Sequence, residues 1–296
     1  MKRATSLACT ALALSGCGKH AGTPNTSASA TVTVPAPVAS ASADVAPGAP
    51  ASGGTLMNKA LCRALAVKGT VTAAGGTPLV TGDGLGHAGY VELAEGGSLT
   101  VKNTETSREL SFSGPARVLP CERGEERFVL PFGAVETTTW AGARPGADVL
   151  IATPFGAVRY GDAKLEVHAD SKGLTVASAA GDAWVWLGGA AAEQKIPDGK
   201  RFESRGRAPD VKALVTDCET RAGEAESRAR AVLVPGKSTA PLGTRAAEHV
   251  RARKAARLSC AVAAAAVQTA KTDAEKDELG RRVSYAEARW RSVPPR

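Results

Sequence analysis

Large side chains are scarce in this sequence. Aromatics make up 4% of the 296 residues, and there are two methionines. Any core must rely on Val, Leu and Ala. After the N-terminal leader, no apolar run approaches the roughly 20 residues that a spanning helix requires. No Cys-x-x-Cys pair occurs, so the usual spacing of a structural zinc site is missing. His-Glu-x-x-His is absent too, and His20, His87, His168 and His249 lie in separate segments. His168 continues an alternating strand pattern and reads as an exposed strand residue. Gly-x-Ser-x-Gly is likewise missing. Gly82-Asp83-Gly84-Leu85-Gly86 follows a strand pattern but opens no helix. It reads as a turn, with Asp83 accepting from local backbone donors, and not as a dinucleotide loop. These absences lead us to expect a protein that is not an enzyme and that carries no metal or cofactor.

What is present falls into blocks. Met1-Lys2-Arg3 is basic, Ala4 to Leu14 is modestly apolar, and Leu14-Ser15-Gly16-Cys17 follows. A basic start, a short apolar stretch and small residues before a cut describe a secretory signal. Leu-Ser-Gly-Cys resembles the lipobox of bacterial lipoproteins. That resemblance implies cleavage before Cys17, which becomes an acylated N-terminus and a stable anchor. Cys9 would leave with residues 1–16. Gly18 stands where an Asp often holds such proteins in the inner membrane, so outer-membrane sorting is expected. Residues 17–55 are rich in Ala, Ser, Thr, Pro and Gly and read as a flexible tether.

The fold class expected for the rest is α+β. Residues 56–205 show short runs near period two, separated by glycines. Tyr90-Val91-Glu92-Leu93, Ser98-Leu99-Thr100-Val101, Val149-Leu150-Ile151-Ala152 and Lys164-Leu165-Glu166-Val167 are examples. Such texture predicts an all-β module, preceded by a helical turn over Leu56–Leu65 that carries Cys62. Residues 206–296 predict a helical hairpin. Val211, Leu214, Val215, Cys218, Ala222 and Ala225 form one stripe. Ala247, Val250, Ala255, Leu258, Val262, Ala265 and Val267 form another, across a breaker at Pro235–Pro241. Thr272-Asp273-Ala274-Glu275 has the form of a capping box and would split the second run near 272.

Four cysteines follow Cys17, an even number that favours disulfides in an exported protein. Cys218 and Cys260 are equidistant from the breaker, so an antiparallel hairpin sets them opposite each other. Cys62–Cys121 is then the remaining pair.

Three features are candidates for contact with a partner. Trp184 and Trp186 share one strand face; the favoured reading is a core or helix-docking face, the alternative a grip on a glycan or protein. Arg253, Lys254 and Arg257 cluster on one helix surface. They suit phosphates or carboxylates, although a solvated face is the plainer reading. The third feature is net charge. Residues 1–200 hold 17 Lys and Arg against 17 Asp and Glu, whereas residues 201–296 hold 20 against 12. In an envelope protein this excess points to anionic lipid or polymer and not to nucleic acid.

The stretch from Val67 to Gly189 resembles the FecR-like domain of bacterial envelope proteins. The resemblance rests on Gly69-Thr70-Val71, Gly82-Asp83-Gly84-Leu85, Gly89-Tyr90-Val91-Glu92-Leu93 and Gly96-Gly97-Ser98-Leu99-Thr100-Val101. Further along, Ile151-Ala152-Thr153-Pro154 and Gly181-Asp182-Ala183-Trp184-Val185 match the family's Thr-Pro and closing strand. The resemblance implies a solenoid-like or curled β-sheet without catalysis. In iron-uptake regulators this domain relays a signal between an outer-membrane receptor and a sigma factor. Those proteins have a cytoplasmic head and a spanning helix where this chain has Cys17. The expected role is therefore binding or scaffolding of an envelope protein or anionic polymer. A surface signalling relay is the alternative, and a cell-wall hydrolase a remote third.

Overall fold

Alternating burial turns the period-two runs into strands. In the run Lys164–Asp170, Leu165, Val167 and Ala169 are buried while Lys164, Glu166 and His168 face water. The computed structural model describes residues 62–85, 89–104, 106–122, 126–138, 148–206, 209–233 and 241–292. The expected signal, Cys17 and the tether 17–55 lie outside these residues, as does His87.

Thirteen strands pair in one sheet. They are β1 (Cys62–Lys68), β2 (Val71–Thr72), β3 (Val91–Leu93), β4 (Ser98–Asn103), β5 (Glu109–Leu119), β6 (Arg127–Thr137) and β7 (Val149–Ala152). There follow β8 (Gly156–Tyr160), β9 (Lys164–Asp170), β10 (Gly173–Ala180), β11 (Ala183–Leu187), β12 (Gln194–Ile196) and β13 (Arg201–Arg205). The fold class is α+β, with three helices after the sheet: α1 (Val211–Leu233), α2 (Leu242–Val267) and α3 (Asp273–Arg291).

The path β1-β4-β5-β6-β7-β8-β11-β12 branches at its two longest strands. One end of β6 pairs in parallel with β7, the other antiparallel with β9, and both halves pair with β5. Gly133 sits near the change of partner at a φ of 115°. A Cβ there would collide with Ala116, so this bend requires glycine. The sheet thus has two partly separate faces. One encloses a core that includes Phe112, Leu130, Ile151 and Val167. The other offers Val129, Leu150, Ala152, Ala157 and Trp186 to the helices. All four residues of β7 are buried because it is covered on both sides.

The segment around Cys62 is a strand and not the expected helical turn. β1 pairs with β4, and Ala64 accepts from Gly82 and donates to Asp83 on its other edge. Those hydrogen bonds outweigh the local preference of Arg63-Ala64-Leu65-Ala66 for helix. The turn at 82–84 is as expected, with Asp83 Oδ2 accepting from Val80 N at 2.9 Å.

Among the described residues the C-terminal part has three helices: α1 and α2 form the expected hairpin, and α3 follows the break expected near residue 272. Asp210 caps α1 by accepting from the backbone of Lys212 and Ala213. Thr272 caps α3, its hydroxyl accepting from Glu275 N at 3.2 Å, so the capping box does divide the second run. The expected stripe of α1 is buried from Leu214 to Ala225, with Val211 half-buried. In α2, Leu258, Val262, Ala265 and Val267 are buried, but Ala247 and Val250 are exposed. Among the described residues, the apolar cluster under the helices reaches along α2 as far as Ala252 and Ala256.

Both disulfides are those expected. Cys62–Cys121 has Cα atoms 6.0 Å apart, and Cys218–Cys260 has them 4.6 Å apart. The second staples α1 to α2 at an alanine-rich contact where the backbones approach closely. α1 and α3 are laced by Lys212–Glu275, Glu219–Arg282 and Glu226–Arg289. Each pair is separated by the same 63 positions, and the rungs are one heptad apart, as in a parallel helix pair.

Candidate functional site: the seam between sheet and helices

The residues singled out from sequence converge where the helices meet the sheet. On β11, Trp186 lies opposite Ala157 of β8, whose small side chain leaves room for the helices. Trp186 is 3% exposed and shares an apolar cluster with Val215 of α1 and Val262 of α2. Its Nε1 donates to Ala190 O at 2.9 Å, so the buried indole has a polar partner. The Arg221 guanidinium lies 5.4 Å from the ring centroid and is held by both oxygens of Asp217. Gly188 completes the fit: a Cβ there would stand 2.8 Å from Leu214 Cδ2. Trp186 therefore docks helices, as the favoured reading held, and is not an exposed indole.

Trp184 is half-buried, with the Arg159 guanidinium 4.4 Å above its ring. Arg159 donates to Asp148 at 2.8 Å and to Glu193 at 2.9 Å. Glu193 also accepts from Lys254 of α2. A chain of charges thus runs Asp148–Arg159–Glu193–Lys254 from sheet to helix, with an aromatic ring beneath it. Burial alone would raise the Glu193 pKa. Its hydrogen bonds from Arg159 and Lys254 outweigh that effect and hold the carboxyl below the usual range.

A second, deeper cluster closes the other end of the seam. Arg127 of β6 is 4% exposed and bonds Glu122 and Glu287 of α3. Arg291 reaches Glu122 at 2.8 Å and Glu287 at 3.4 Å. Two arginines and two carboxylates therefore alternate across the joint. Burial pushes the neighbouring Tyr90 phenol well above its ordinary pKa, with the Arg127 and Arg117 charges opposing the rise.

The basic triplet is dispersed by these contacts. Lys254 belongs to the Glu193 chain, Arg253 lies 5.7 Å from the Trp290 ring centroid, and Arg257 is half-buried. His168 is on the exposed face of β9, 3.8 Å from Asp170, and His249 is buried in α2. Among the described residues no three His, Cys, Asp or Glu side chains are grouped to hold a metal. An open groove of about 670 Å3 runs beside α3, lined by Arg117, Gln268, Lys276, Asp277, Arg281 and Ser284. The arrangement at the seam offers paired donors and acceptors that hold two layers together.

Arg159, Glu193, Arg127 and Glu287 were not legible beforehand. Arg127 and Glu287 are 160 positions apart, and no local spacing links them. The 63-residue recurrence of opposite charges between α1 and α3 was the one available signal.

No family model and no curated protein matches the chain. Two crystal structures of a candidate anti-sigma factor from Parabacteroides distasonis are similar, at TM-scores of 0.33 and 0.32 and identities of 12% and 11%. Each likeness covers 43% of this chain and 64% of the other, less than two thirds of that protein's length. At that distance it assigns neither fold family nor role.

Proposed function

We propose that this chain is a non-enzymatic, lipid-anchored protein of the bacterial envelope, in which a FecR-like β-module and its helical bundle bind or scaffold a protein or polymer partner. One observation carries the reading: the cysteine pairing. Cys62–Cys121 and Cys218–Cys260 use every cysteine after Cys17. Paired cysteines of this kind persist in oxidising compartments outside the cytoplasm. Cys17 sits at the cut point of Leu14-Ser15-Gly16-Cys17, and cleavage there removes Cys9. Acylation gives the Cys17 thiol a use. The sealed seam suits a rigid module whose contacts lie on its outer surface.

Intact-mass analysis of chain recovered from membranes tests the anchor. Loss of residues 1–16 and addition of a diacylglycerol and an acyl chain at Cys17 is the expected result. An unmodified Cys17 on a mature chain would overturn the anchor. Crosslinking in intact envelopes followed by purification tests the binding role. A discrete envelope protein or polymer is expected; recovery of a receptor or sigma-factor regulator would favour the relay instead. If lipid alone co-purified, the partner-binding role would fail.

A further inference from the structure

Arg127, Arg159, Arg282 and Arg289 each donate to a carboxylate at hydrogen-bond distance. Arg117 of β5 is different. Its Nε is buried without a hydrogen-bond partner, and Glu92 Oε1 stands 3.9 Å from its Nη1, too far for a hydrogen bond. The guanidinium lies 5.1 Å from the Tyr90 ring centroid. A half-buried fork of five donors is ordinarily bonded to acceptors. This one lines the open groove beside α3. Phe132, its cross-strand partner on β6, shares its face of the sheet and is 44% exposed.

Asp273, Lys276, Asp277, Gly280, Arg281 and Ser284 form the α3 wall of the groove. Their spacing by threes and fours puts them on one helix face. That face runs roughly 16 Å, the length of about five residues of extended chain. Lys276 donates to Asp273 at 3.2 Å. Arg281 is exposed and forms no ion pair among the described residues. Gly280 lies inside the helix, where glycine is less stable than alanine. Its φ is not positive, and a Cβ there would meet Val267 Cγ1 at 3.9 Å, an ordinary contact. Neither backbone nor packing therefore requires glycine at this position. Close approach of another backbone does.

We propose that this groove binds an extended polypeptide segment of a partner protein, with a carboxylate side chain of the segment taken by Arg117 and Arg281 and its backbone lying against Gly280. The proposal deepens the partner-binding reading and rests on it. Three cations face two carboxylates in the groove, so its excess is one positive charge. A single carboxylate with uncharged neighbours matches that excess. A polymer of repeated phosphates would press against Asp273 and Asp277. Charge complementarity and the length of the α3 face thus select an acidic peptide over a wall polymer.

The test uses the full chain carrying Cys17→Ser, with both disulfides verified by non-reducing peptide mass. A displayed library of random nine-residue peptides is selected on it, and recovered peptides are titrated by fluorescence anisotropy. One Asp or Glu with uncharged flanks is the expected consensus, and its amide analogue should bind at least about tenfold more weakly. Arg117→Gln and Arg281→Glu should each weaken binding to a similar extent. Gly280→Ala should weaken binding while thermal unfolding stays the same or rises, an outcome that a merely structural groove would not give. Arg201→Glu on β13 should leave binding intact. Recovery of no peptide, of peptides that need no carboxylate, or of binding indifferent to the three groove substitutions would each overturn the proposal. So would inorganic polyphosphate that bound more tightly than the peptides with the same dependence on Arg117. Crosslinking in envelopes separates this proposal from the reading beneath it. A partner captured equally by wild type and by Arg117→Gln with Arg281→Glu would keep the partner-binding reading and overturn the groove. Capture by neither would overturn both.

Discussion

The β-module and the helical bundle are built from the same limited stock of side chains but held together differently. In the module, each strand's alternation supplies its own core face and neighbouring backbones supply the hydrogen bonds. In the bundle, many buried positions are alanines, among them Ala222, Ala225, Ala261 and Ala266, which bury little area each. The bundle compensates with a disulfide, a ladder of ion pairs between α1 and α3, and the docking of α1 and α2 over Trp186. This contrast predicts that the helices depend on the module more than it depends on them.

The sharpest way to break this comparison is Trp186→Ala. Removing a buried indole should cost about 3–5 kcal/mol. The loss should fall first on the helices, read as hydrogen-exchange protection falling in α1 and α2 before β5 and β9. Uniform loss in both layers would mean that the two unfold as one unit and the contrast is wrong. Next comes the disulfide pair. Replacing Cys218 and Cys260 by Ala opens a loop of 42 residues and should cost about 4 kcal/mol by the chain-entropy estimate. Chemical denaturation should show that loss in helical signal.

Arg127→Ala should cost about 3 kcal/mol or more, because Glu122 and Glu287 would lose a buried partner and be left to share Arg291 in a half-buried site. Adding Glu287→Gln should recover part of it in a double-mutant cycle. At the more exposed end of the seam the effect is smaller. Glu193→Gln should cost about 1 kcal/mol or less near neutral pH. The Glu193 pKa is lowered on folding, so its contribution is present above the ordinary carboxylate pKa of about 4.3. It should disappear as pH falls through the depressed folded value. The variant and wild type should therefore converge in melting temperature at acid pH. A gap that persisted there would remove the ion-pair explanation. The smallest effect is expected on the ladder, where Arg282→Ala should cost a few tenths of a kcal/mol because Arg282 and Glu219 are each about a third exposed.

Legibility in sequence followed the range of the interactions. The strands around Leu93, Leu99, Val167 and Val176 could be read because period-two alternation is written within a few residues. The helix boundary at Thr272 could be read because a capping hydrogen bond spans three residues. Cys62 was misread as helical because its neighbours are good helix formers and the edge that recruits it, Gly82–Leu85, lies about twenty residues on. Val250 was placed in the core stripe because periodicity marks a face, not what covers it. The seam was partly visible: Trp186 had the right role, while its charged neighbours did not.

The sequence alone determined the α+β class, both cysteine pairings, the basic excess of the C-terminal third and the dual reading of the tryptophans. These depend on local periodicity, on composition and on symmetry about a single breaker. Only the tertiary structure decided that Lys254 is engaged by Glu193, that Arg127 and Glu287 meet, and that Ala247 and Val250 of α2 are exposed. Those outcomes depend on which surfaces a branched sheet and three helices bring together. A pair 160 residues apart has no separate trace in the chain, because its partner is chosen by the packing of everything between.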